Sequence, residues 1–133
     1  MSAKSDYLEN AVLDHVLGGP DYTRAATVYA ALFTAVPSDS GGGTEVTGGA
    51  YARAAITNNA TNWPAASGGQ KKNGAAVTFP TPSADWGTVV AVALFDAAVA
   101  GNLLYHGTLA SARPIRSGDT VTFPVNSITV GEL

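Results

Sequence analysis

Two histidines are the residues of this sequence that could most readily act as a general base or a metal ligand. His15 and His106 lie far apart in the chain, and no Gly-x-Ser-x-Gly elbow accompanies either of them. Nucleophilic catalysis needs a serine, threonine or cysteine that is held beside such a base. His15 falls on the apolar stripe of a predicted helix and His106 falls in a predicted strand, and in both settings a hydrogen-bonded packing role is the commoner one. The pattern does not favour an enzyme.

Cofactor and metal sites have no motif in the sequence. The chain contains no cysteine, which excludes a thiolate zinc site. It also lacks the Asp-x-Asp-x-Asp-Gly loop that binds calcium, and its glycine runs are not followed by the Lys-Ser or Lys-Thr of a phosphate loop. Asp96 ends a predicted strand, where an aspartate more often caps a turn than binds an ion. We therefore expect no cofactor and no metal.

The charge balance argues against nucleic acid as a partner. The net charge is −3, and only seven residues are lysine or arginine. Phosphate recognition needs clustered basic residues, whereas the one adjacent pair, Lys71-Lys72, lies in a glycine-rich loop. The densest apolar segment, residues 25–36, is shorter than the roughly 18–20 residues that span a bilayer. Neither nucleic acid nor a membrane is an expected partner, and acidic residues near the N-terminus do not fit a secretion signal.

The low proportion of charged residues is the most informative feature of the composition. Charged residues make up 13% of the chain and hydrophobic residues 46%, whereas an average soluble domain is about 25% charged. Charged residues are depleted at the centres of protein–protein interfaces. This composition favours a protein that covers much of its surface with neighbouring subunits. The plain alternative is an ordinary domain with a surface rich in serine and threonine.

The elements that must position these residues begin with one helix, at about residues 6–17. Ser5 is a suitable N-cap, and Gly18-Gly19-Pro20 ends the helix. Leu13 and Leu17 fall outside the stripe that should face the core, so they would need a second surface to pack on. The predicted core stripe consists of Leu8, Ala11, Val12, His15 and Val16.

Beyond the helix, the sequence predicts β-structure over about residues 26–131. Residues 27–34 are apolar on both faces, as in a strand that is buried on both sides. Residues 88–95 form the strongest predicted strand, which the loop 96–102 turns back into a strand at residues 103–109. Shorter strands are expected at Glu45-Val46, Tyr51–Thr57, Val77–Pro80, Thr120–Phe123 and Ile128–Val130. About eight short strands favour a single β-sandwich or jelly-roll-like domain over residues 1–133.

The two tryptophans have different predicted roles. Trp86 precedes the strongest strand and is expected in the core, whereas Trp63 lies in a long polar loop at residues 58–75 and could anchor an interface. The tetrapeptide Val77-Thr-Phe-Pro80 also recurs as Val121-Thr-Phe-Pro124. The copies could be related edge strands, but their unlike surroundings favour chance recurrence. The candidate interface residues are Leu13, Leu17, Trp63, Lys71 and Lys72, together with one sheet edge.

A series of short motifs runs through almost the whole chain. In order, they include Tyr7–Asn10, Leu13–Leu17, Thr27–Thr34, Gly43–Val46, Gly48–Arg53, Val77–Pro80, Asp85–Thr88, Phe95-Asp96, Gly101–Gly107 and Ser117–Asp119. In this order the chain resembles small virion proteins of tailed phages that are commonly labelled phage tail fibre proteins. The resemblance implies a virion component, assembled in the cytoplasm of the host bacterium, with no known catalytic residues. The loop at residues 58–75 fits the family pattern least well.

Within this family, the sequence leads us to predict a head protein first. A fibre usually shows repeats, heptads or a stalk, and the chain shows none of these. We predict a non-enzymatic capsid decoration (cement) protein that contacts the major capsid protein or other virion proteins and forms a homo-oligomer, with a trimer among the options. One alternative is a tail fibre or tail-associated component. Another is a carbohydrate-binding host-attachment module that uses Trp63.

Overall fold

The computed structural model describes residues 2–132, in which antiparallel β-structure predominates. The described part contains one helix and ten strands, so the predicted mainly β class with an N-terminal helix is confirmed. Two of the strands, β1 and β5, were not predicted. The elements are β1 (Ser2–Lys4), α1 (Asp6–Val16), β2 (Thr27–Ala35), β3 (Thr44–Glu45), β4 (Ala54–Thr57), β5 (Gln70–Lys72), β6 (Val77–Thr78), β7 (Gly87–Phe95), β8 (Leu103–Ile115), β9 (Thr122–Phe123) and β10 (Thr129–Gly131).

The main sheet is built around the two strands that the sequence predicts most strongly. β2 and β7 pair antiparallel, with Tyr29 opposite Phe95 and Ala31 opposite Ala93. β8 and then β1 extend this sheet on one side. On the other side, β4 pairs with the first half of β2 and β3 with its end. Because β2 and β7 are covered on both edges and both faces, they carry apolar residues at successive positions.

The two faces of this sheet carry different cores. Alternate residues of β2 point to opposite faces, so Leu32 joins the larger core while Phe33 joins the smaller one. The smaller core consists largely of alanine, with Phe33 stacked on Phe95 at a centroid distance of 6.2 Å. The larger core is where the other sheets pack. Its members include Val28, Ile56, Trp63, Phe79, Trp86, Val89, Leu94 and Ile128.

Two small antiparallel sheets, β5–β10 and β6–β9, cover the larger core. Asn73 joins the segments that carry them and is only 1% exposed. Its Nδ2 donates to the carbonyls of Ala75 and Pro124, both at 2.9 Å. Its Oδ1 accepts from the Ile128 N–H at 2.8 Å. A buried amide that is paired in this way holds the loop segments against the sheet, since leaving it unpaired would be costly.

Capping residues determine where α1 begins and ends. The Leu8 N–H donates to Ser5 Oγ over 3.2 Å. Two carboxylates in the first turn also stabilise the helix, because they lie at the positive end of its dipole. Gly18 follows the helix with a φ of 85°, a conformation that ends helices and suits glycine. The helix predicted at about residues 6–17 therefore spans Asp6–Val16.

The predicted core stripe of α1 is wrong in its second half. Leu8 is buried, but His15 and Val16 are exposed. Instead of packing, His15 accepts a hydrogen bond at Nδ1 from the Tyr22 N–H over 3.0 Å. The helix meets the main sheet at its N-terminal end, where the Ser5 N–H donates to the Leu104 carbonyl. Its last turns therefore face solvent.

A bulge explains why β8 is longer than predicted. Val89 pairs with Arg113 and Ala91 with Thr108, so residues 109–112 have no partner in the described β7–β8 ladder. Extra residues of this kind bend a strand and interrupt its alternation. The sequence predicts this strand only as far as residue 109, which is where the bulge begins. The hairpin itself is confirmed.

Candidate functional site

The two helix leucines predicted as contact residues lie on the solvent side of α1. Leu13 is 57% exposed and Leu17, the C-cap residue, is 76% exposed, while Val16 beside them is 67% exposed. At about 100° per residue, Leu13 and Leu17 lie on the side of α1 away from the buried Leu8, whereas Val16 lies about 80° from Leu8, beyond the part of the helix that meets the sheet. Their contact with another subunit stays a prediction. We call the exposed face formed by Asp6, Glu9, Leu13, Val16 and Leu17 the outer helix stripe.

The N-terminal end of the outer helix stripe is acidic. Carboxylate oxygens of Asp6, Glu9 and Asp39 lie within 4.8 Å of one another, and all three residues are exposed. Asp39 is held in place, because its carbonyl accepts the Asp6 N–H at 2.9 Å and its Oδ1 lies 2.8 Å from His106 Nε2. His106, a candidate base by residue type, is therefore paired with a carboxylate. Exposed acidic groups commonly lie together without an ion, so we assign no metal to this cluster.

The other predicted contact residues lie on the loop 58–75. This loop belongs to the covering layer, which is the layer formed by the small sheets β5–β10 and β6–β9. Trp63, which the sequence names as a possible interface anchor, is 7% exposed and belongs to the larger core. Its Nε1 is buried with no acceptor among the described residues. Lys71 and Lys72 are exposed on β5, and Lys71 Nζ donates to the Trp63 and Pro64 carbonyls at 3.2 and 3.3 Å. Trp63 and Lys71 are thus brought together, whereas no described contact joins them to the helix leucines.

A buried ion pair that the sequence did not reveal lies at the opposite edge of the main sheet. Arg53 donates from Nε and Nη2 to the two carboxylate oxygens of Glu45, at 2.9 and 2.8 Å. Its guanidinium carbon lies 3.8 Å from the centroid of the Phe95 ring. This bidentate geometry combined with stacking is specific to arginine. The Arg53 side chain is 7% exposed, so its buried positive charge must be stabilised by these partners.

Tyr51 completes this network and connects it to β2. Its hydroxyl donates to Glu45 Oε2 at 2.6 Å and accepts from the Leu32 N–H at 3.0 Å. Burial acts to raise the pKa of Glu45, but the hydrogen bonds from Arg53 and Tyr51 outweigh it, so this pKa lies below its ordinary value. Burial, reinforced by the bond to Glu45, raises the pKa of Tyr51. Both shifts keep Glu45 ionised and Tyr51 protonated at neutral pH, and these are the states in which the tyrosine hydroxyl donates to the carboxylate.

The same arginine holds the loop between β7 and β8. Arg53 Nη1 donates to the carbonyls of Ala97 and Ala100, each at 2.8 Å. Within the loop, Asp96 accepts the Asn102 N–H at 2.7 Å, which confirms its predicted role as a turn cap. Val99 lies between these anchors and is 82% exposed. The loop therefore presents an apolar side chain between hydrogen-bonded anchors.

A cleft of about 520 Å³ opens between the bulged part of β8 and the β9 region. Its walls are mainly apolar, with Leu109, Val121 and Phe123 among them. Arg113 and Asp119 are the charged residues of its described lining. Ser111, Thr120, Thr122 and Ser127 also line it, and Asp119 accepts the Arg116 N–H at 2.8 Å.

The network around Arg53 brings together several of the motifs on which the resemblance to phage tail fibre proteins rests. These motifs are Gly43–Val46, Gly48–Arg53 and Phe95-Asp96. The family model described as "Podophage GP4 fiber I protein gp80" matches residues 3–131. The chain belongs to this fiber protein family. No curated protein matches the chain. The predicted resemblance to phage tail fibre proteins is therefore confirmed.

Membership of the fiber family makes the chain a structural protein of a phage virion, with other virion proteins as its partners. This agrees with the part of the sequence prediction that concerns the virion. Among the described residues, no helix is both long and apolar enough to cross a membrane.

The residues that sequence reasoning missed are Glu45, Tyr51, Arg53 and Phe95. Each falls within a motif of the fiber-family resemblance, but nothing in their spacing indicates that they meet. Charged residues are scarce in this chain, so a glutamate and an arginine that lie in successive predicted strands were the available signal. Their pairing depends on how β3, β4 and β7 are placed around β2.

Proposed function

We propose that this chain is a non-enzymatic component of the tail fibre, or of the part of the tail that carries it. The match of the fiber family to residues 3–131 carries this proposal. It supports the tail alternative better than the capsid decoration role that the sequence predicts first. The mechanism is the burial of surface between subunits, to which the low charged fraction of 13% is suited.

Two surfaces support a role in subunit contact. The outer helix stripe exposes Leu13 and Leu17, and the β7–β8 loop exposes Val99. Large apolar side chains that stay in solvent contribute little to the chain's own folding, whereas burying each against a partner contributes about 1.5–3 kcal/mol. We propose that the chain works as one domain over residues 1–133 and forms a homo-oligomer within the virion.

The burial of Trp63 bears on the carbohydrate-binding alternative. Sugar recognition by tryptophan uses an exposed ring face, and Trp63 is 7% exposed within the larger core. Stacking a sugar on this ring would require the loop 58–75 to leave the core. We therefore propose protein contacts rather than glycan binding as the role of the chain.

Immunogold labelling of intact particles tests the proposed location. Antibodies raised against the purified chain should place gold on the tail, at a copy number far below that of the major capsid protein. Particles grown without the gene for this chain provide the control. Gold spread over the head, at a copy number comparable with the major capsid protein, would support decoration instead. Particles that lack the chain altogether would overturn both locations.

A further inference from the structure

The outer helix stripe has two chemically different halves. Its C-terminal half carries Leu13, Val16 and Leu17, each more than half exposed. Its N-terminal half carries Asp6 and Glu9, whose carboxylates converge with that of Asp39. Isolated exposed apolar residues are normal on protein surfaces, but three within one and a half helical turns form a patch. A partner that covers this stripe must match both halves.

The acidic half lacks a basic partner within the described chain. No lysine or arginine within residues 2–132 forms an ion pair with Asp6 or Glu9, and His106 is the group that faces Asp39. Three carboxylates with oxygens within 4.8 Å of one another repel each other. A basic side chain from outside would relieve this repulsion.

The same stripe on a second copy does not provide this complement. If two copies packed with antiparallel helices, the leucines of one would face the carboxylates of the other. If the helices packed in parallel, carboxylates would face carboxylates. Both arrangements bury charge without a counter-charge, which is unfavourable. The occupant must therefore be chemically different from the stripe itself.

We propose that the outer helix stripe docks a basic amphipathic segment of another virion protein. Apolar side chains of that segment cover Leu13, Val16 and Leu17, and its lysines or arginines meet Asp6, Glu9 and Asp39. This inference rests on the proposed function, because it identifies the chemistry of one partner within the particle. Charge complementarity of this kind sets specificity and register between proteins.

Hydrogen bonds at both ends of α1 favour such docking. Ser5 Oγ donates to the Leu103 carbonyl, and the Ser5 N–H donates to the Leu104 carbonyl at 2.9 Å. At the other end, the Tyr22 N–H donates to His15 Nδ1. The N-terminal end of the helix is therefore fixed to the main sheet, and its C-terminal end is bonded to the loop that follows it, which limits the conformational freedom lost on binding.

Photo-crosslinking in assembled particles tests the proposal. A photoreactive phenylalanine analogue replaces Leu17 in the full chain, and the crosslinked peptide is identified by mass spectrometry. The matched control places the analogue at Val125, which is 50% exposed and lies beside Asn73 in the covering layer. We expect Leu17 to crosslink to a lysine- or arginine-containing segment of a different virion protein, and Val125 not to reach that segment.

Substitutions test the two halves separately. We expect L13S/L17S and D6N/E9Q each to lower the copies of the chain per particle by about tenfold or more, since removing anchors or desolvated charges commonly costs that much affinity. V125S should leave the copy number unchanged. Circular dichroism of each purified variant shows whether it still folds, and if one does not, the crosslinking result decides.

Several results would overturn the inference. These are crosslinking of Leu17 to a second copy of the chain, crosslinking to a segment without basic residues, and release of the chain from particles by a chelator but not by salt. Each of these leaves the chain in the virion, so the proposed function survives. Absence of the chain from particles would instead overturn the proposed function itself.

Discussion

Thr78 and Thr122 face each other across the β6–β9 ladder, with their hydroxyl oxygens 3.1 Å apart. They occupy the same position in the two copies of Val-Thr-Phe-Pro. Because the Phe79 N–H donates to the Val121 carbonyl at 2.9 Å, the copies pair in register about a local two-fold axis. The sequence favours chance recurrence, and the structure shows that the two copies pair with each other. The proline at the end of each copy has no N–H to donate and stops the ladder.

The two symmetry-related phenylalanines are buried to different extents, so substituting them should destabilise the chain by different amounts. Phe79 is buried and Phe123 is half-buried, and their rings meet at a centroid distance of 6.1 Å. We expect Phe79→Ala to lower the free energy of unfolding by about 3–5 kcal/mol, as for other core phenylalanines. Phe123→Ala should cost clearly less. Urea denaturation of both variants measures the difference, and equal losses would contradict it.

The Arg53–Glu45 pair predicts strong destabilisation when one partner is removed. We expect Arg53→Met to lower the free energy of unfolding by about 2–4 kcal/mol, because it leaves the Glu45 carboxylate partly buried without its cation. The double variant with Glu45→Gln should lose less than the two single variants combined, since neither charge is then unpaired. Lys4, whose ion pair with Glu132 is more exposed, provides the control: Lys4→Met should cost less than about 1 kcal/mol.

The same pair predicts a loss of stability in acid. The pKa of Glu45 is lower in the folded chain than in the unfolded chain, where it is about 4.3. Its contribution is therefore complete above that value and is lost as the pH falls through the folded pKa. Thermal unfolding followed from pH 6 downward should show a steeper fall in Tm for the native chain than for Glu45→Gln. Parallel curves would contradict the prediction.

Replacing each buried tryptophan with phenylalanine should lower the free energy of unfolding by different amounts. Trp86 Nε1 donates to the Gly49 carbonyl at 2.9 Å, whereas Trp63 Nε1 has no acceptor among residues 2–132. The Gly49 carbonyl also accepts the Ser83 N–H at 2.9 Å, so Trp86→Phe removes one hydrogen bond without leaving that carbonyl unpaired, and we expect it to cost about 0.5–1.5 kcal/mol more than Trp63→Phe. Chemical denaturation followed by circular dichroism measures both. A larger cost at Trp63 would indicate that a bound water satisfies its N–H.

Substituting leucines on opposite sides of α1 tests whether the outer helix stripe contributes to the stability of the chain itself. We expect Leu8→Ala to cost about 2–5 kcal/mol, because Leu8 is 4% exposed. Leu13→Ala should change the free energy of unfolding by less than about 0.5 kcal/mol, as exposed substitutions usually do. Thermal or urea unfolding of the isolated chain compares them. A large loss at Leu13 would assign it a role within the fold.

Local features of the fold were predictable from the sequence. Ser5 and Gly18 mark the ends of α1, β2 and β7 follow from continuous apolar runs, and Asp96 caps the turn between β7 and β8. Each of these depends on residues a few positions apart, whose interactions are the same in any fold that contains the segment. The mainly β class follows from the number and length of such segments. The single domain over residues 1–133 stays a prediction.

Tertiary structure alone decided which surfaces meet. The loop that carries Trp63 reads as polar, yet Asn73 and Lys71 hold it over the larger core and bury the ring. Arg53 reaches Glu45 only because β3 and β4 pair along the same edge of β2, and it reaches Phe95 only because β7 pairs with the other edge of β2. Helical periodicity identified a stripe that includes His15, but not where the sheet beneath it ends. Such contacts join residues that are distant in sequence, so their energies depend on topology, which local patterns do not contain.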